Sequence, residues 1–371
     1  MRIPARLLPA APPGINAGNG MTIARQYPHP NPSPQGGGDP CVPSGPPLPG
    51  GDASCANLSV SLPLVGRGRG GGAASRRPRA RNIRTLLLAA ALGLFAAAPA
   101  AAQQLAPFKD QLFAYPAILE SRDGGAYRVV DYDEMRDING RDEIPERRAQ
   151  GKYVALGVRK VQQDLMLDAA AAKITHVAVG RREGAKIITL YLHGQGGSRK
   201  QGVDDFTFGG NFNRIKNLMA DNGGLYLSPD FSDFGDGGAA EIAALIEHYA
   251  ERSPDAPVFV ACGSMGGGLC WKLAAHKTAA NRISGLLLLG SHWDDTFLNS
   301  PAFKRRVPVF FGQGSRDTVF PAEKQEAFYR AILAKDPNYP ARFVRFETGS
   351  HGTPIRMTDW RETLNWMLSK R

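Results

Sequence analysis

Val258-Phe259-Val260-Ala261-Cys262-Gly263-Ser264-Met265-Gly266-Gly267-Gly268 decides how this chain is read. An apolar, β-branched run stops at small residues, then come a serine, three glycines and a segment of helical spacing. That order fits a sharp strand-to-helix turn, the nucleophile elbow, which lifts a serine side chain above the sheet. Bulk is poorly tolerated beside such a turn, and Gly263, Gly266 and Gly267 around Ser264 are small. Cys262 stands where the first glycine of G-x-S-x-G usually stands. An ordinary tight β-to-α turn would read the same way, so the partners of Ser264 have to be sought along the chain.

Around the elbow, apolar runs alternate with helical patterns. Strands are expected at 161–167, 174–179, 186–192, 224–227, 258–262, 285–289, 307–311 and 341–346. Helices are expected at 212–220, 239–251, 265–277 and 321–334, with a closing one from Thr358. Buried strands separated by helices of this length imply a doubly wound, mostly parallel sheet with helices on both faces. Only residues 290–306 separate two of the late strands, too few for a large cap domain.

A serine becomes a nucleophile when a base takes its proton and an acid orients that base. In such a sheet both come from loops at the carboxyl ends of later strands. Gly312-Gln313-Gly314-Ser315-Arg316-Asp317 follows one strand, and Glu347-Thr348-Gly349-Ser350-His351 follows the next. The order Ser264, Asp317, His351 is that of a hydrolase triad on a sheet of this kind. Asp317 alone would also suit a cap for the helix near Pro321, and His351 an ordinary loop position. His292 and Asp294 are the competing base and acid. The N–H of Met265, after the serine, and that of Gln195 in His193-Gly194-Gln195-Gly196-Gly197 are the candidate oxyanion donors. This glycine loop lacks the G-K-[ST] of a phosphate loop and the G-x-G-x-x-G of a dinucleotide turn. Asp230, Asp233 and Asp236 lack the distal bidentate glutamate of a calcium loop. Trp293 and Phe297 suit either an acyl pocket or packing.

Taken with these motifs, residues 186–371 resemble the α/β-hydrolases of the serine carboxylesterase and thioesterase kind. The resemblance rests on the 193–197 loop, Cys262-Gly263-Ser264-Met265-Gly266-Gly267, Asp317-Thr318-Val319-Phe320-Pro321 and Ser350-His351-Gly352. It implies an α/β-hydrolase fold, a Ser-Asp-His triad and an acyl-enzyme intermediate on a small-molecule or acyl-ester substrate. No metal or organic cofactor is called for. A prolyl-oligopeptidase-like peptidase and a non-catalytic binding protein on the same fold are the rival readings.

The formal charge of +11 belongs mostly to residues 1–102, which hold ten arginines, two aspartates and 16 of the 28 prolines. Residues 103–371 keep only +3, which argues against a nucleic-acid partner. Residues 1–74 are read as disordered or as translated upstream sequence. Residues 75–102 read as a signal peptide: an arginine-rich start, a short apolar core and an alanine-rich cleavage site after Ala102. The expected product is exported, periplasmic or extracellular, with no stable membrane anchor after cleavage. Residues 103–160 are expected to form an extension of a catalytic domain at 161–371. Cys262 and Cys270 lie on the elbow strand and its helix, an awkward pair of directions, and are expected to be free thiols.

Overall fold

In the computed structural model, residues 104–169 and 172–371 are described. The segments expected to be upstream sequence (1–74) and signal peptide (75–102) lie outside them.

The apolar runs at 188–192, 225–229, 258–263, 283–289 and 309–314 form strands because both faces of each are covered. β1 is Ile118–Arg122, β2 Tyr127–Val130, and β3 (Asp142–Glu143) pairs with β4 (Arg148–Ala149) in a separate hairpin. β5 is Gln162–Ala169, β6 Ala172–Gly180, β7 Ile188–Leu192, β8 Leu225–Pro229 and β9 Val258–Gly263. β10 is Ile283–Leu289, β11 Val309–Gly314 and β12 Ala341–Phe346. Ten of these make one sheet in the order β1-β2-β12-β11-β10-β9-β7-β8-β6-β5. From β2 to β8 the pairings are parallel; β1, β6 and β5 complete the edges antiparallel. Along β7, Ile188, Leu190 and Leu192 enter one core while Tyr191 enters the other. Helices Asp236–Arg252, Gly267–Ala275 and Ala322–Lys335 seal the first face. Asn211–Asp221 and Trp360–Leu368 seal the second. This is the α/β-hydrolase fold expected from the sequence, and residues 290–308 carry only two short helical turns, with no cap domain.

The structure departs from the sequence expectation in instructive places. The 103–160 stretch supplies β1 and β2, and Tyr127–Val130 pairs in parallel with β12. β11 runs on to Gly314, so Gln313 is a buried strand residue and not part of a loop. The elbow helix starts as a 3₁₀ turn, Ser264–Gly266, before Gly267–Ala275.

The cysteine expectation is wrong: Cys262 and Cys270 form a disulfide. After the elbow the helix doubles back over the face of β9 that carries Val260 and Cys262. Cys262 therefore points at the helix that covers it, and the Cα atoms stand 6.3 Å apart, within bridging range.

Candidate functional site

The strand order reverses around β7, which has β8 on one side and β9 on the other. Loops leaving the carboxyl ends of β7 and β9 diverge there, and such a switch point is where open α/β sheets hold their ligands. Ser264 follows β9 directly and adopts the left-handed conformation at φ 52°. Its neighbours leave no room for side chains. A Cβ on Gly263 would come within 2.5 Å of the Tyr191 hydroxyl, and one on Gly266 within 2.6 Å of the Leu192 carbonyl. At 262, by contrast, the side chain has a place in the layer beneath, so the unusual Cys262 is accommodated.

Ser264, Asp317 and His351 come together. Ser264 Oγ donates to His351 Nε2 at 2.9 Å, and His351 Nδ1–H donates to Asp317 Oδ2 at 2.8 Å. These roles follow the hydrogen-bond network. Asp317 does not cap the next helix. Its Oδ1 accepts the N–H groups of Val319 and Phe320 at 2.8 and 2.9 Å, and Gln313 Nε2 donates to Oδ2 at 2.9 Å. Burial pushes the Asp317 carboxyl up, but His351 and the two backbone donors outweigh it and hold it below the usual carboxylate range. A carboxylate held ionised beside the ring keeps the proton on Nδ1 and leaves Nε2 free to accept.

The expected oxyanion donors flank the serine. Met265 opens the elbow turn, so its N–H belongs to the first-turn donors that have no intrahelical acceptor. On the other side, a Cβ on Gly194 would lie 2.7 Å from Ser264 Cβ, which puts the 193–197 loop against Ser264. The Gly194 carbonyl accepts from Gly197 N–H at 3.1 Å and from His193 Nδ1–H at 2.8 Å. In a trans peptide the N–H points opposite to its carbonyl, so the Gln195 N–H is turned out of the loop. His193 is held in place by stacking on Phe231, with centroids 4.2 Å apart.

Other candidates separate from this cluster. Asp294 caps the turn Asp295–Asn299, and His292 bonds to neither Ser264 nor Asp317. Phe297 is core, packed on Trp271, Phe303 and Phe328. Asp230 pairs with Arg199, Asp233 accepts the Gly235 and Gly238 N–H groups, and Asp236 pairs with Lys272. A groove of about 560 Å³ lined by Leu165, His176, His248 and Arg252 lies at the far edge of the sheet. It holds none of the three clustered residues, so chemistry and not volume locates the site.

Sequence reasoning missed several supports. Gln313 orients Asp317, and Ser291 Oγ donates to the Ser264 carbonyl at 2.7 Å. The histidine loop is gripped from the 103–160 stretch. Glu347 N–H donates to the Val130 carbonyl at 2.9 Å, and Thr348 Oγ1 to the Tyr132 carbonyl at 2.9 Å. Just past His351, Arg356 makes a buried bidentate pair with Asp142 at 3.0 and 2.6 Å. Arg141 beside it donates to the Gly209 carbonyl, and burial together with Arg356 pushes its guanidinium down to about 10. A Gln between two glycines at a strand end was a legible signal; a carboxylate 214 residues from its arginine was not.

No protein-family model matches the sequence, and no curated protein matches it. Solved structures with a similar chain path include a putative α/β hydrolase from Agrobacterium tumefaciens, at 15% identity and TM-score 0.45, over 56% of this chain and 96% of that one. An esterase from Pyrococcus furiosus is similar at 16% identity and TM-score 0.41, over 56% and 92%. An α/β serine hydrolase without lid from Xanthomonas campestris is similar at 16% and 0.41, over 56% and 94%.

Proposed function

We propose that this protein is a serine hydrolase that cleaves carboxylic or thio esters. The observation that carries the reading is the unbroken hydrogen-bonded chain from Ser264 Oγ through His351 to Asp317, at the switch point of the sheet. Ser264 Oγ attacks the acyl carbonyl as His351 Nε2 takes its proton. Asp317 stabilises the imidazolium and fixes its orientation. The N–H groups of Met265 and Gln195 receive the oxyanion. Collapse of the tetrahedral intermediate expels the alcohol or thiol, which takes the proton from His351. Water, deprotonated by His351, then attacks the acyl-enzyme, and a second collapse releases the acid and restores Ser264.

We read the enzyme as exported. The Cys262–Cys270 disulfide supports this, since such bonds persist in oxidising compartments.

Fluorophosphonate labelling followed by a panel of esters, thioesters and amides tests the proposal. Ser264→Ala should abolish labelling and lower kcat by about 10⁴–10⁶. Near-normal ester turnover by that variant would remove the assignment. Turnover of amides alone would favour the peptidase reading, and an unlabelled wild type the binding protein.

A further inference from the structure

His292 is a histidine at the active end of the sheet that the triad does not use. It follows β10, so it emerges at the same sheet end as Ser264 and His351. Its backbone is fixed, because its carbonyl accepts from Trp271 Nε1 at 3.0 Å and Ser291 just before it braces the Ser264 carbonyl. Its ring lies against the elbow helix: a Cβ on Gly268 would be 3.5 Å from Cε1 and 3.8 Å from Nε2, with the Phe234 carbonyl 3.3 Å from the same point. Phe320 packs on it at 5.6 Å and on His351 at 5.7 Å. His292 and the catalytic imidazole therefore flank one phenyl ring.

Among the described residues the ring nitrogens have no hydrogen-bond partner, and Nδ1 is buried. A buried N–H without an acceptor is among the rarest features of native proteins, whereas an under-used acceptor is tolerated more often. Burial lowers the affinity of this imidazole for a second proton, although Asp294 pulls the other way. The neutral ring thus carries its one proton on Nε2, on the side facing Gly268. It is a donor with no protein acceptor among the described residues, on a ring that rests against Gly268, four residues past Ser264.

We propose that His292 is a specificity-determining residue whose Nε2–H receives a second oxygen of the substrate, an ether, hydroxyl or carbonyl group away from the scissile carbonyl. This deepens the proposed ester hydrolase and rests on it. The favoured substrates are oxygen-bearing esters, with Phe320 against their apolar part, and not plain alkyl esters.

The test compares isosteric ester pairs. In one, the acyl chain is hexanoyl or its analogue with an ether oxygen replacing a mid-chain methylene; in the other, the alcohol is butyl or 2-methoxyethyl. Wild type should prefer the oxygen-bearing member of at least one pair by about 3–10-fold in kcat/KM, the range of one neutral hydrogen bond. His292→Phe should bring that ratio to near one, and His292→Gln, which keeps a donor, should restore part of it. A wild type that does not discriminate in either pair, or a His292→Phe enzyme that keeps the preference, overturns the inference. The wild-type ratio needs no variant, so a misfolded substitution leaves the test intact. Fluorophosphonate labelling of the same wild-type preparation separates the failures. A labelled enzyme without preference sinks the role of His292 alone, while an unlabelled protein sinks the hydrolase reading beneath it.

Discussion

Replacing Asp142 with alanine removes the only carboxylate among the described residues that pairs with Arg356. The Asp142 side chain is fully buried and that of Arg356 nearly so, and their contact is bidentate. Without it, Arg356 keeps the Asp137 carbonyl at 3.2 Å as an acceptor, and it faces Arg141, itself buried and without a carboxylate bond. Breaking a buried pair by removing one partner costs about 3–5 kcal/mol, because the surviving charge stays desolvated. Removing both charges, as in Asp142→Leu with Arg356→Met, should recover most of that loss. Urea unfolding of the two singles and the double, with the slope checked for constancy, gives the coupling directly. The damage should also reach catalysis, since Arg356 sits five residues beyond His351. Ester kcat should fall more than KM rises in the folded fraction. A loss below about 1 kcal/mol in Asp142→Ala, or a double variant as unstable as the sum of its singles, refutes the reasoning.

Three further outcomes are expected. The folded-state pKa of Asp317 is depressed, so its contribution to stability is fully present above the unfolded value near 3.9 and disappears as pH falls through the lower folded value. The stability difference between wild type and Asp317→Asn should therefore shrink below about pH 4; a difference that stays flat from pH 6 to 2 contradicts the shift. Opening the disulfide by replacing both Cys262 and Cys270 with alanine frees a loop of eight residues' separation and should cost about 2–3 kcal/mol in denaturant titrations, and an unmoved midpoint counts against it. Gly194→Ala drives a methyl against Ser264 and should lower kcat by about 10² or more while leaving the fold intact by circular dichroism. Unchanged turnover would show that the 193–197 loop does not crowd Ser264.

The parts of this molecule that could be read from sequence are those whose physics is local. The runs at 258–263 and 285–289 are apolar without interruption because neighbours cover both faces, and the elbow shows itself in residues too small to clash. Asp317 and His351 were legible because each follows a strand within a few residues. Tyr127–Val130 escaped notice: four residues within a charged stretch carry little periodic signal, and their partner strand begins at Ala341. The disulfide is hidden in the sequence because the directions of a strand and of a helix, taken one at a time, do not face each other. The reversal of the chain at Ser264 brings those directions face to face. Asp142 and Arg356 meet only because the whole sheet intervenes, and no window of sequence contains both.

The pairing of β2 with β12 also sets an order of assembly. Tyr132 and Thr348, the residues that tie the histidine loop to the early strand, are 216 positions apart. Contacts of such span close late, because the intervening chain must first give up its freedom. As the polypeptide emerges from the ribosome, the early strand, the serine turn and the acid loop can all be out while β12 and His351 have not yet been made. On the proposed mechanism Ser264 is therefore silent in the unfinished chain, and it switches on only when the last strand docks against one of the first.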